Sequence, residues 1–553
     1  MTEDERQHQL YRAFVAAGFQ RDRKRTKGFR YVGPLSVVGR DISVAITFPN
    51  LEFTHLPLAE LMHPEEEAPE IVAHLDASGG LCFASEGDVV LDRYDVEGTV
   101  LLCIELAKRG LERALTYKSL ENEIAAEFQQ HWDGEKFYYD LAGDGIYRAS
   151  YYVFTDGRRV LSHNIAAARR LSANADFGVP QSLPAYVISS TKELTFHDGQ
   201  TRPKTLSDFE KYLVGEGLCN GARLYKLIGE LLPSAPLIFL RAPNGCVGIQ
   251  ITDSVVPQGA LQRKSSAGRL FQTHAAKQKI TRLSGSRIDL EFIFERNMHH
   301  QRPLTGKHIA LIGCGTIGSH LAKMLVQSGA GHEGGSLLLL DYQQLEPGNI
   351  GRHYLGMPDI GKSKVDALKV ELKRQFPDAS ISSMRQEAVS YLPHLHSRDF
   401  IVDATGEEAL SIAINEHFLR LGREGKTIPP RLHAWLFGNG AAAQALFVDG
   451  SEYACFRCLK AGHPLRWRFD PMKSGESAET TAAACGEGRF IPYGVAAPII
   501  AAGVALQLVL DWANGDPSPR LRTMSIDKRT TKTINDKNAE KSKTCPACGA
   551  AGD

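Results

Sequence analysis

The stretch Lys307-His308-Ile309-Ala310-Leu311-Ile312-Gly313-Cys314-Gly315-Thr316-Ile317-Gly318-Ser319 decides how the C-terminal half folds. His308 to Ile312 reads as a short buried strand, and a helix is expected from Ser319 to Ser328. Between them, Gly313, Gly315 and Gly318 let the backbone approach a phosphate or an adenosine at the helix N-terminus. Further on, a strand at Ser336–Leu340, a helix at Gly361–Arg374 and a strand at Phe400–Asp403 continue the alternation of a doubly wound parallel sheet. Asp341 ends the second strand 23 residues after Gly318, where a carboxylate can accept hydrogen bonds from ribose hydroxyls. These features suit NAD and ATP equally.

The run Asp341-Tyr342-Gln343-Gln344-Leu345-Glu346-Pro347-Gly348-Asn349-Ile350-Gly351-Arg352, followed by Gly361-Lys362-Ser363-Lys364-Val365, separates the two. Asn349, Arg352 and Lys364 would set one neutral donor and two cations around a triphosphate, and Asp403 could hold magnesium. A dehydrogenase has no use for this set, and no hydride-transfer partner lies near the glycine motif.

On these residues the segment Lys307 to Gly549 resembles the ThiF/MoeB family, the adenylating fold shared by sulfur-carrier activators and ubiquitin-activating enzymes. The resemblance implies ribose binding by Asp341, phosphate contacts from Asn349, Arg352 and Lys364, and Mg2+ at Asp403. It also implies a homodimer, with an arginine ahead of the first strand acting at the site; Arg296 is the candidate.

Two CxxC pairs, Cys455 with Cys458 and Cys545 with Cys548, can offer four thiolates to one tetrahedral Zn2+. With all four positions filled, such an ion is structural. Cys485, in Ala484-Cys485-Gly486-Glu487-Gly488-Arg489, has no such partner. The resemblance places there the cysteine that takes the acyl group from the adenylate as a thioester, a step suited to a polarisable thiolate.

Near the N-terminus, His74-Leu75-Asp76-Ala77-Ser78-Gly79-Gly80-Leu81-Cys82 resembles the loop of ubiquitin-conjugating enzymes in which His-Pro-Asn precedes the thioester-forming cysteine. Here Leu75 and Asp76 replace the proline and the oxyanion-stabilising asparagine, and the loop to Cys82 is two residues shorter. Asp76 is expected to orient or deprotonate an incoming amine instead. Cys103 falls in an apolar helical pattern and is expected in the core.

At 553 residues the chain exceeds what a single core supports. Residues 1–145 read as an α+β ubiquitin-conjugating-like domain, with strands near Phe29–Val32, Ile42–Phe48 and Asp88–Leu91 between helices at Tyr11–Ala17 and Gly98–Leu115. Residues 146–295 read as a mixed α/β linker domain with short strands and a helical segment near Leu206–Leu232. Residues 296–553 form the Rossmann-like adenylating domain.

Basic and acidic residues number 64 each, which argues against direct nucleic-acid binding. The apolar stretch Tyr493–Leu510 is broken by Pro498 and Gly503 and is expected to be buried, with no membrane partner. Ten cysteines of uneven spacing and no secretory pattern in Met1–Gln20 fit a cytoplasmic protein.

The order of domains resembles bacterial fusion proteins of CBASS antiphage systems. That resemblance implies ATP-Mg-dependent activation of a protein C-terminus, that of a cGAS-like nucleotidyltransferase, transfer to Cys485 and then Cys82, and conjugation to an amine of an acceptor protein. A sulfur-carrier adenylyltransferase making a thiocarboxylate is the alternative, and it would have no need of Cys82.

Overall fold

The computed structural model describes residues 2–549 apart from 24–27, 69, 77, 86, 88, 117–120, 172–179, 198, 233, 253–263, 462–465 and 483–488. The chain forms two units, residues 1–168 with 176–289, and residues 169–175 with 290–553.

The first unit opens on the helix Glu3–Ala16, started by a reciprocal cap in which Thr2 Oγ1 accepts from the Glu5 amide and the Glu5 carboxylate accepts from the Thr2 amide. Five antiparallel strands follow in chain order: Gln20–Arg21, Phe29–Val37, Arg40–Phe48, Leu58–Leu61 and Gly80–Leu81. The helix Val96–Thr116 buries Val100, Cys103, Ala107, Leu111 and Ala114, a stripe at three- and four-residue spacing, in the same core as Tyr31, Val44 and Ile46. Cys103 lies in that core, and burial pushes its thiol up to about 12. The strand expected at Asp88–Leu91 does not form a ladder. Asp88 lies outside the described residues, Val90 is 87% exposed, and only Leu91 packs, partly buried, against the domain core.

The region expected as a linker is a closed seven-stranded barrel, and its first strand, Glu135–Asp140, begins before residue 145. Around the barrel run Leu237–Ala242, Gly245–Gln250, Thr281–Arg287, Glu135–Asp140, Arg159–Ser162, Ile146–Val153 and Gln181–Ser189. Phe137, Tyr139, Tyr151 and Phe239 fill its inside. The expected helical segment is two helices, Leu206–Gly215 and Gly221–Leu231, interrupted where Gly217 adopts a φ of 67°.

The second unit is a seven-stranded sheet in the order Ile381–Met384, Ser336–Leu340, His308–Ile312, Phe400–Asp403, Arg431–Phe437, Ala442–Val448 and Leu521–Ser525. The first five strands are parallel, and Ala442–Val448 runs antiparallel to both its neighbours, Arg431–Phe437 and Leu521–Ser525. Chain order reverses between His308–Ile312 and Phe400–Asp403, which leaves a crevice beyond their carboxyl ends. The helix Ala496–Ala513 is long and apolar enough to cross a membrane by composition, yet Ala501, Ala502, Ala505, Leu508 and Val509 are buried in the core of this sheet.

Candidate active sites

The crevice at the switch point is a cavity of about 400 Å³ lined by Gly313, Gly315, Asp341, Gln343, Thr405 and Glu407 among others. Its floor depends on close backbone packing. A Cβ on Gly318 would lie 1.8 Å from the Gly313 carbonyl oxygen, so only glycine lets the helix Thr316–Gln327 start this near the strand. The Asp341 carboxylate spans the turn, Oδ2 accepting from the Cys314 amide at 2.8 Å and Oδ1 from the Gln343 amide at 2.8 Å. It is thereby fixed at the cavity wall.

Lys364 is only 5% exposed, and its Nζ donates to Oε1 of Gln343 at 2.6 Å, a neutral partner that a phosphate oxygen can replace. Lys364, Asn349, Arg352 and Asp403 are not among the cavity-lining residues. The Arg352 guanidinium lies 4.3 Å from the ring centroid of Tyr493, whose hydroxyl is 3.0 Å from Thr316 Oγ1 at the start of the glycine-turn helix. Asn349 Oδ1 accepts from the Glu346 amide at 3.1 Å. Arg296 follows the short helix Leu290–Glu295 with its guanidinium 5.4 Å from the Phe292 ring centroid.

Asp403 is 1% exposed and its carboxylate is saturated. Oδ1 accepts from the Thr405 amide and hydroxyl at 3.1 and 2.6 Å; Oδ2 accepts from Ser411 Oγ at 2.5 Å and lies 2.7 Å from His433 Nδ1. Burial pushes its pKa up, but the bonds from His433, Ser411 and Thr405 outweigh that and hold it below the usual carboxylate range. A magnesium ion at Asp403 would have to displace one of these donors. Glu407, a carboxylate on the cavity wall four residues on, carried no signal in the sequence beyond its charge.

Two buried histidines lie behind this site. His353 faces the Cys314 carbonyl through Nε2 at 2.8 Å and accepts from the Leu355 amide through Nδ1, and burial pushes its pKa down to about 4. Burial likewise lowers that of His433. An unfolded histidine takes a proton below about pH 6.5, which the folded His353 refuses until about pH 4. The unfolded state therefore binds more protons in that window, and stability falls as pH falls through it. At ~1.4 kcal/mol per tenfold difference in proton affinity, His353 alone accounts for roughly 3 kcal/mol. Denaturant titrations at pH 7 and pH 4.5 should find the sheet unit less stable at the lower pH, with His353→Gln flattening the difference.

The second site lies in the first unit. His74–Cys82 is a tight hairpin in which the Cys82 amide donates to the His74 carbonyl and the Asp76 amide to the Gly80 carbonyl, each at 2.8 Å. Leu75 and Leu81 are buried in the domain core, which accounts for leucine where a proline was expected. Cys82 is exposed at the mouth of a cavity of about 490 Å³. Asp76 does not reach out to an amine through Oδ1: that atom accepts from the Ser78 amide and hydroxyl, each at 2.7 Å, and from the Gly80 amide at 2.9 Å. It braces its own loop.

His74 holds a φ of 66°, unfavourable for a residue with a side chain, and its ring faces two carboxylates, Nε2 at 2.8 Å from Glu123 and Nδ1 at 2.9 Å from Glu127. Glu127 and His131 also line the Cys82 cavity. Burial, and after it the Glu127 charge, raises the Cys82 pKa, so the free thiol stays protonated near neutrality.

The third cluster joins Cys455, Cys458, Cys545 and Cys548, whose sulfurs lie within 4.8 Å of one another. Cys455 Sγ is 3.8 Å from those of both Cys458 and Cys545, and a tetrahedral ion at ~2.3 Å sets its sulfurs about 3.8 Å apart. The Cys458–Cys548 distance is shorter, 3.2 Å. The donor set and spacing fit zinc. Cys485 lies outside the described residues.

Two family models match separate segments of the chain. The ThiF family model matches residues 286–547 and the model for Prokaryotic E2 family B matches residues 7–139. An adenylating domain and a ubiquitin-conjugating-like domain on one chain define an ATP-dependent enzyme of ubiquitin-like conjugation. The ATP-dependent ubiquitin transferase-like protein Cap2 of Pseudomonas aeruginosa (strain BWHPSA011 / Pa011) is 31% identical over 514 residues, covering 90% of each chain. Cap2 of Vibrio cholerae serotype O1 is 25% identical over 536 residues, covering 88% of each. The solved chain of Escherichia coli MccB with ATP is similar at 20% identity and a TM-score of 0.36, covering 53% of this chain and 83% of that one. The chain belongs to the Cap2 family of ATP-dependent ubiquitin transferase-like proteins.

Proposed function

We propose that the adenylating unit activates the C-terminal carboxylate of a protein as its acyl-adenylate, that Cys485 and then Cys82 carry the acyl group as thioesters, and that an amine of an acceptor protein ends the relay. The observation that carries this reading is the presence, on one chain, of a switch-point cavity with Asp341 fixed on its wall and of a hairpin that presents an exposed cysteine. Asp341 would hold ribose hydroxyls, and Lys364 would exchange Gln343 for a phosphate oxygen. Arg352, stacked on Tyr493, would supply a second cation to the triphosphate, and Asn349 a neutral donor, once the loop that carries them meets the nucleotide.

Magnesium, when bound, would neutralise the triphosphate. Asp403 could contribute only by releasing a hydroxyl donor, whereas Glu407 already borders the cavity. Zinc at the four clustered cysteines would be structural. Arg296 is assigned to the same site through a homodimer built on this domain, and the compartment is the cytoplasm. By its resemblance to CBASS fusion proteins, the activated protein is a cGAS-like nucleotidyltransferase and the setting is antiphage defence.

ATP–pyrophosphate exchange, measured with that nucleotidyltransferase as carboxylate donor, tests the first step. Exchange that depends on the donor's free C-terminus and falls by about 100-fold in Lys364→Ala is the expected result. Hydrolysis that releases ADP in place of AMP would overturn the reading, and a thiocarboxylate product formed without Cys82 would favour sulfur-carrier activation.

A further inference from the structure

An acceptor lysine reaches a thioester as an ammonium ion, and it must lose a proton before its nitrogen can attack. The loop around Cys82 lacks the asparagine expected beside such a cysteine, and three carboxylates line its cavity: Glu60, Asp76 and Glu127. Glu60 is paired with the Arg30 guanidinium. Asp76 has one oxygen bonded three times within its own turn.

Glu127 is held differently. Oε2 accepts from the His74 amide at 2.9 Å and Oε1 lies 2.9 Å from His74 Nδ1, so each oxygen has one close donor and keeps acceptor capacity. His131, 1% exposed and lining the same cavity, brings Nε2 to 3.5 Å from Oε2. His74 is itself steadied by Glu123, which pairs with Arg113. Since the His74 carbonyl receives the Cys82 amide, one residue in a left-handed conformation links the cysteine backbone to this carboxylate. The Glu127 charge is also the one felt at the Cys82 sulfur.

We propose that Glu127, aimed by His74 and His131, is the carboxylate that receives the acceptor ammonium at Cys82. The ammonium gives one proton to a Glu127 oxygen, and the freed lone pair attacks the thioester carbonyl. As the C–N bond forms the C–S bond breaks, and the departing Cys82 thiolate takes the second proton. This inference rests on the reading that Cys82 carries a thioester.

The test uses the full chain with Cys485→Ala, charged at Cys82 by exchange with a glycine-ended peptide mercaptoethanesulfonate thioester, with Cys82→Ala as the control. Discharge is then followed in excess free lysine and, separately, in excess 2-mercaptoethanol. In Glu127→Gln, charging should persist, lysine discharge at pH 7 should fall about tenfold or more, and thiol discharge should stay within about twofold. The lysine defect should shrink as pH approaches the lysine pKa, where the nucleophile arrives neutral, and Glu127→Asp should recover part of the rate. Equal lysine rates in the parent and Glu127→Gln, or an equal loss toward both nucleophiles, would overturn the proposal. Failure of the parent chain to charge at Cys82 would instead strike the relay, and this site with it.

Discussion

Cys82→Ala is expected to abolish conjugate formation, a loss on the order of 10⁴ or more, while ATP–pyrophosphate exchange stays within about twofold of the parent chain. The two effects separate because the thiol is exposed at its cavity, so removing it opens no hole in a core. The neighbouring Cys103 cannot substitute, being fully buried with its thiol pushed up to about 12. Cys82→Ser should accumulate an oxyester that survives reductant, since an alkoxide is a poorer leaving group than a thiolate. Gel analysis with and without reductant distinguishes the three chains. Conjugation that persists in Cys82→Ala would remove this cysteine from the reaction.

With zinc proposed at the four clustered cysteines, chelation or Cys458→Ser is expected to cost the second unit several kcal/mol of stability, because structural zinc contributes on the order of 10 kcal/mol in small domains. The four sulfurs join the segment Cys455–Cys458 to Cys545–Cys548, near the far end of the chain, and they sit in a core with Trp435, Phe437, Phe456 and Leu521. Those side chains lie on or beside the antiparallel edge of the sheet, so fraying should begin there. Thermal unfolding before and after chelation, with elemental analysis for zinc, provides the measurement. A purified chain that lacks zinc and melts unchanged in chelator would sink the assignment.

The adenylating fold was legible because its signals are local. His308–Ile312, Ser336–Leu340 and Phe400–Asp403 are strands at the expected residues, since short apolar runs bounded by turns leave little choice of register. The loop carrying Cys82 stood out for another reason, its resemblance to the cysteine loop of ubiquitin-conjugating enzymes. Less visible was the barrel, closed by parallel pairing of Gln181–Ser189 with Leu237–Ala242 and of Glu135–Asp140 with Thr281–Arg287, contacts too distant in sequence for periodicity to reveal. Glu127 and His131 were missed because they approach Cys82 from a helical segment some 45 residues later, where nothing local distinguishes them from surface and core residues. Asp403 read as an open carboxylate, and its four donors come from Thr405, Ser411 and His433, which only the fold assembles.

The helix Phe128–Trp132, next to Glu127, is tied to the barrel: Gln129 Nε2 donates to the Gly285 carbonyl at 2.8 Å and Trp132 Nε1 to that of Gly248 at 3.3 Å. A fragment cut after the conjugating-like region would carry Glu127 on a stub whose anchoring carbonyls had been left behind, along with an orphaned strand edge at Glu135–Asp140. Transplanting this module into another protein therefore means moving everything through Arg287 as one piece.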